Sequence, residues 1–190
     1  MTGHRRRKSE VRGEPWQTTR REDEDERIGN AEASRKVMNA AHKLLATRSR
    51  SEGELRDRLS ASYWAETRVV DDCIARLKEL GYVNDRLFAH SYANYRVSSK
   101  PLGRARLARE LALKKFSPDS IDEALDLVFA ETPEETLIDR AIERRIRTHG
   151  RPTDPAGARK MFDYLARLGF EYDLIMRKLR KSKGRLAEIN

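Results

Sequence analysis

Thirteen basic side chains carry most of the binding chemistry open to this sequence. Seven lie in one stretch: Arg96, Lys100, Arg104, Arg106, Arg109, Lys114 and Lys115. Six more follow as Arg144, Arg145, Arg147, Arg177, Lys178 and Lys181, with Arg140, Arg151, Arg180, Lys183 and Arg185 around them. Glu110 is the only acid between Arg96 and Lys115. Guanidinium and ammonium groups massed in this way form charge-assisted hydrogen bonds to phosphate or carboxylate oxygens, which is binding without a covalent step. Arg104 adds a local hint: a cation in the first turn of the helix it opens works against the helix dipole.

Residues suited to covalent or metal chemistry are scattered. His4, His42, His90 and His149 have no metal-ligand spacing with one another or with Cys73, the single cysteine. Asp71 and Asp72 are adjacent, and neighbouring helical positions diverge by about 100°, so the pair reads as a solvated face rather than a Mg²⁺ site. No GxxxxGK[ST], GxGxxG or GxSxG occurs. The expectation is a protein with no cofactor, no metal and no catalytic activity. Cys73 lies among Val69, Val70, Ile74 and Leu77 and reads as a small core side chain.

The elements that must position these cations are helices. Of 190 residues, 37% are charged and 38% hydrophobic, which favours thin, elongated packing over a large interior. The net charge of +9, with a pI near 9.8, favours a polyanionic partner. No apolar run approaches the roughly 18 residues of a membrane span, and the basic N-terminus lacks a signal-peptide core. A cytoplasmic, membrane-free monomer is expected, in line with the lone cysteine. Residues 1–32 contain HRRRKSE and REDEDER with few large apolar residues and read as a disordered charged tail. In that tail, Arg5, Arg6, Arg7 and Lys8 are the possible phosphate contacts.

From Ala33 onward the cap signals are legible. Ser51-Glu-Gly-Glu54 and Thr132-Pro-Glu-Glu135 read as capping boxes, and Ser117-Pro118 and Asp154-Pro155 as cap-plus-proline starts. In RLKELGYVNDRLFAHSYANYR, Gly81 closes one helix and Asn84 or Asp85 caps the next. A repeat follows. Leu55, Leu59, Trp64, Val69 and Cys73 are spaced 4, 5, 5 and 4. Leu107, Leu111, Phe116, Ile121 and Leu125 have the same spacing, as do Met161, Leu165, Phe170, Ile175 and Leu179. Each copy is a helix pair with an aromatic at its corner. A further helix precedes it, marked by Ala41 with Leu45, Phe88 with Tyr92, or Ile142 with Ile146.

The fold expected is therefore all-α, with three tandem three-helix modules in an elongated, curved array, at 33–83, 84–131 and 132–184, and a short tail at 185–190. Helix-turn-helix reading of DNA sequence is disfavoured. The third helices carry Glu66, Asp71 and Asp72; Asp119, Asp122 and Glu123; and Glu171 and Asp173 near their N-termini, where acid would repel groove-flanking phosphates.

LLATRSRSEGELRDRL, RLKELGYVNDRLFAHSY and GRARLARELALKKFSPDSIDEAL together resemble the RecX family, the bacterial regulators of the RecA recombinase. The likeness runs from about Arg35 to Leu179, and ARKMFDYLARLGFEYDLIMRKL keeps the family's Leu-Gly-Phe-type corner. The resemblance implies three repeated three-helix units that bind RecA in the groove of its DNA filament and limit filament growth, ATP hydrolysis and strand exchange. It implies RecA, its nucleoprotein filament and the phosphates of single- or double-stranded DNA as partners. It supplies no catalytic motif, so the filament- or DNA-binding residues expected are the thirteen cations above. The competing expectation is a nonspecific DNA-binding or architectural protein that acts on RecA only indirectly.

Overall fold

The structure is a computed structural model that describes the backbone of residues 15–62 and 66–187 and the side chains of 29–62 and 66–181. Nine α-helices occur among the described residues. The first module holds α1 (Pro15–Thr47), α2 (Glu52–Ser60) and α3 (Thr67–Glu79). The second holds α4 (Asp85–Ser99), α5 (Arg104–Leu113) and α6 (Pro118–Glu131), and the third α7 (Glu134–His149), α8 (Pro155–Arg167) and α9 (Tyr172–Ala187).

Capping chemistry sets most of these boundaries. The side chains of Ser51, Asn84, Ser117 and Asp154 accept the amides of Glu54, Leu87, Ser120 and Gly157. Thr132 does not form the expected box. It is the C-cap of α6, α7 starts after Pro133 without a side-chain cap, and Glu134 and Glu135 turn to other modules and helices. Helix ends repeat as well. Gly81, at φ 75°, closes α3 while the Tyr82 amide reaches back to the Leu77 carbonyl at 2.9 Å. Lys115 and Gly169 occupy the equivalent left-handed position after α5 and α8.

α1 begins well before Ala33, where the sequence expectation had a disordered tail. Residues 1–14 of that tail, Arg5 to Lys8 among them, lie outside the described residues. Once Val37 and Ala41 anchor the helix, each further Arg or Glu toward the N-terminus adds a hydrogen bond at little propensity cost.

The repeat positions build the core. Leu55, Leu59, Val69 and Cys73 are buried, as are Leu107, Leu111, Phe116 and Leu125, and Met161, Leu165, Phe170 and Ile175. Ile121 and Leu179 are partly buried, and Trp64 lies outside the described residues. α1 buries Ala41 with Leu45 partly covered, as expected, but the other two first helices bury a different register from the one expected. α4 uses Ala89, Ala93 and Val97, and α7 uses Leu137, Ile138 and Ala141, leaving Phe88, Tyr92, Ile142 and Ile146 at the core's edge. In the second module the reason is close packing of the first and third helices. Arg86 pairs with Glu123 and His90 lies 3.9 Å from Glu131, so α4 and α6 run parallel, with alanines at the crossing.

Two similar joints hold the modules in order. At each, the first amide of a middle helix donates to the first-turn carboxylate of the next module: Glu52 to Asp85 at 2.8 Å, and Arg104 to Glu134 at 2.9 Å. The start of the same middle helix also lies against the next module's corner. A side chain at Gly53 would meet the Lys115 carbonyl, and one at Gly103 would stand 2.3 Å from the Gly169 backbone. The joints differ in their apolar content. The second and third modules share one core through Leu102, Leu168 and Phe170, whereas the first keeps its own around Val37, Leu55, Ile74 and Leu77. Its joint is polar: Ser51, fully buried, donates to the Lys114 carbonyl, and Lys115 pairs with Asp57.

Candidate functional site

The candidate site is the set of expected cations, and the structure sorts them by what they touch. Arg96 on α4 makes a two-pronged pair with Glu110 on α5, at 2.7 and 3.1 Å. That bond holds the Glu110 carboxyl below its ordinary range and raises Arg96 further, so both stay ionised. Arg106 also reaches Glu110, at 3.2 Å. Arg104 pairs with Asp126 at 2.6 Å and stands over the Phe129 ring at 5.9 Å. The dipole cost that made Arg104 notable is offset by Glu134, whose carboxylate takes its amide. Lys115 is bound to Asp57 across the first joint. Arg177 and Lys178 join α9 to Glu135 and Asp139 of α7.

Other cations remain open to a partner. Lys100, Arg144, Arg147 and Lys181 are exposed, and no ion pair engages their side chains among the described residues. Arg109 is exposed and, among the described residues, bonds the carbonyl of its own helix at Ala105, 3.2 Å away. Lys114 stands 4.6 Å over the Tyr92 ring and Arg145 5.1 Å over Tyr164, contacts that leave the charge available to an anion.

The two sequence clusters are linked through α8, whose cations the sequence reading did not single out. Arg106 donates to the Arg167 carbonyl at 3.0 Å, which ties α5 to the end of α8. Tyr164 lies one turn back on α8 and carries Arg145 of α7. Arg106 and Arg109, which share a face of α5, are thereby linked through α8 to Arg145, and Arg144 and Arg147 lie exposed on the same α7. Arg159 and Lys160 lie exposed on the same α8. A signal for them existed: buried Met161 and Leu165 mark the core face of α8, and Arg159 and Lys160 fall off that stripe.

Among the described residues no group of three or more His, Cys, Asp and Glu is placed to hold a metal ion. Cys73 is buried with its sulfur 3.9 Å from that of Met38, and burial pushes its thiol up, away from the reactive thiolate. Among the described residues no helix is long and apolar enough to cross a membrane.

Comparison with known proteins gives concordant findings. The descriptions "RecX, second three-helix domain" and "RecX, third three-helix domain" match residues 84–125 and 134–179. Regulatory protein RecX of Treponema pallidum (strain Nichols) is 39% identical over 79 residues, covering 42% of this chain and 48% of that protein. The chain thus spans about half the length of that curated relative. Regulatory protein RecX of Streptomyces lividans is 29% identical over 140 residues, 74% of this chain and 73% of that protein. The crystal structure of RecX from Lactobacillus salivarius superposes with a TM-score of 0.70 at 22% identity, covering 80% of this chain and 97% of that one, which shows a common fold.

Fold and site together define an all-α tandem-repeat protein with a basic surface carried across its modules. Within that class, the family this chain matches is RecX, through the models of its second and third three-helix domains and the curated RecX proteins.

Proposed function

We propose that this protein regulates a RecA recombinase, chiefly as an inhibitor. It docks in the groove of the RecA–DNA filament and limits filament growth, ATP hydrolysis and strand exchange. The observation that carries this reading is the linking of two basic regions through α8 by the Arg106–Arg167 and Arg145–Tyr164 contacts. Linked regions spanning two modules can follow a charged groove, which an isolated patch cannot. Part of the affinity comes from counterions released as Arg109, Arg144 and Arg147 meet phosphates, and the fixed joints give preference for the filament over bare DNA. The action is steric, needs no chemistry of the protein's own, and is performed by a monomer in the cytoplasm. Lys100, Lys114 and Lys181 belong to the same docking surface.

The test replaces Arg109, Arg144 and Arg147 together by Glu and follows ATP hydrolysis by RecA on single-stranded DNA. Helicity should stay unchanged and most inhibition should disappear. Wild-type affinity for the filament should fall about 10³-fold between 50 and 200 mM salt if about six phosphates are neutralised. Full inhibition by the triple variant would clear this surface of the role. Loss of inhibition on adding excess bare duplex, with no advantage for filament as competitor, would favour the nonspecific DNA-binding reading instead.

A further inference from the structure

The outer side of α4 holds features that steric docking leaves unused. From Arg86 to Arg109 the sequence contains no acid. Within that stretch, Ser91, Asn94, Tyr95 and Ser98 are uncharged groups able to form hydrogen bonds. The Tyr95 side chain is 68% exposed. Next to it, Arg96 is held by Glu110, whose carboxylate is also engaged by Arg106. One turn back is Tyr92, with the Lys114 ammonium 4.6 Å from the centre of its ring. Leu113, 82% exposed, and Arg109 continue the surface on α5.

The seam between α4 and α5 therefore sets aromatic rings among cations, and the carboxylates beside it are already paired: Glu110 with Arg96 and Arg106, and, next to Leu113 and Lys114, Glu54 with Arg48 and Arg50 and Asp57 with Lys115. An acidic peptide would satisfy the cations and leave the Tyr95 ring without a matched contact. A duplex would present phosphates, but its base faces are occupied by its own stacking. A single strand has both unmatched partners: an open base face for an aromatic ring, and phosphates close by for cations.

We propose that Tyr95, one turn along α4 from the Tyr92 ring that carries Lys114, forms with Lys114 and Arg109 of α5 a stacking site for an unpaired base of a single-stranded nucleic acid. This rests on the reading that the basic surface meets nucleic-acid phosphates, and it adds a strand preference that charge alone does not give. Tyr95 supplies the platform, and Lys114 and Arg109 hold the flanking backbone.

The experiment measures fluorescence anisotropy of a labelled oligothymidylate, and of a duplex of equal length, with the full chain at fixed salt and no recombinase. Tyr95→Ala should weaken single-strand binding about 5- to 150-fold, leave duplex binding and the salt slope unchanged, and keep wild-type helicity. Tyr95→Phe should bind like the wild type, because the ring and not the hydroxyl does the stacking. Equal loss on single strand and duplex, or no loss on either, overturns the proposal. A defect seen only on recombinase-coated DNA also overturns it and assigns Tyr95 to a protein contact. If the wild type binds neither bare nucleic acid, the stacking site fails while inhibition of ATP hydrolysis still tests filament docking separately.

Discussion

Glu110 serves two arginines at once, and its ionisation is tied to stability. The hydrogen bond from Arg96 keeps its folded carboxyl below the ordinary glutamate value, so the stabilisation is present above that value and lost as pH falls through the depressed one. Glu110→Gln should remove this acid-side loss and cost about 1–3 kcal/mol at neutral pH, measured by urea unfolding across pH. Asp85 and Glu134 behave oppositely. Burial raises both carboxyls, so the folded state holds their protons longer, and their contribution declines as pH rises from the ordinary carboxylate range through the raised values. Glu134→Gln keeps an oxygen to accept the Arg104 amide and removes the charge. Thermal unfolding should then show a flatter pH dependence in that window. Apart from the Arg106–Glu110 pair within α5, none of this was legible from residue types, because carboxylate and partner come from different helices or modules.

At the scale of the element, the helices were legible where the signal is local. Asn84, Ser117 and Asp154 sit within three residues of the amides they cap, and Gly81 within four of the carbonyl that closes α3. The apolar spacing after each first helix likewise found the core. Leu107→Ala should cost about 2–5 kcal/mol, because the side chain is fully buried. The first helices of the second and third modules were less legible. Large residues such as Ile142 and Ile146 drew the expected stripe, whereas the parallel crossing in the second module selects alanine, whose small size is silent in a hydrophobicity pattern. Gly103 shows the same limit. Its φ of −80° suits any residue, so the reason for glycine is the Gly169 backbone alongside it. Gly103→Ala should destabilise by about 1–3 kcal/mol through overpacking, measured by chemical unfolding.

At the scale of the whole molecule, the division of the core predicts how the protein opens. The first module has its own cluster and a polar joint, while the second and third share theirs. Hydrogen exchange should resolve two opening units, α1–α3 and α4–α9, with α2 exchanging faster in Ser51→Ala, which loses both a cap and the bond to Lys114. A single cooperative unit covering all helices would contradict this division. The joints that set one module against the next also decide which cations can reach a common partner.

Helix content, the tandem repeat, most caps and the excess of positive charge were determined by the sequence alone, because each depends on residues within about one helical turn or on composition. Tertiary structure decided which cations are spent and which are free. It placed Arg104 on Asp126 and Lys115 on Asp57, left Arg109, Arg144 and Arg147 exposed, and brought α8 between the two basic regions. The physical reason is separation along the chain. Ser51 meets Lys114 and Arg106 meets Arg167 across 63 and 61 residues, and no local pattern encodes a contact that exists only once the modules have packed.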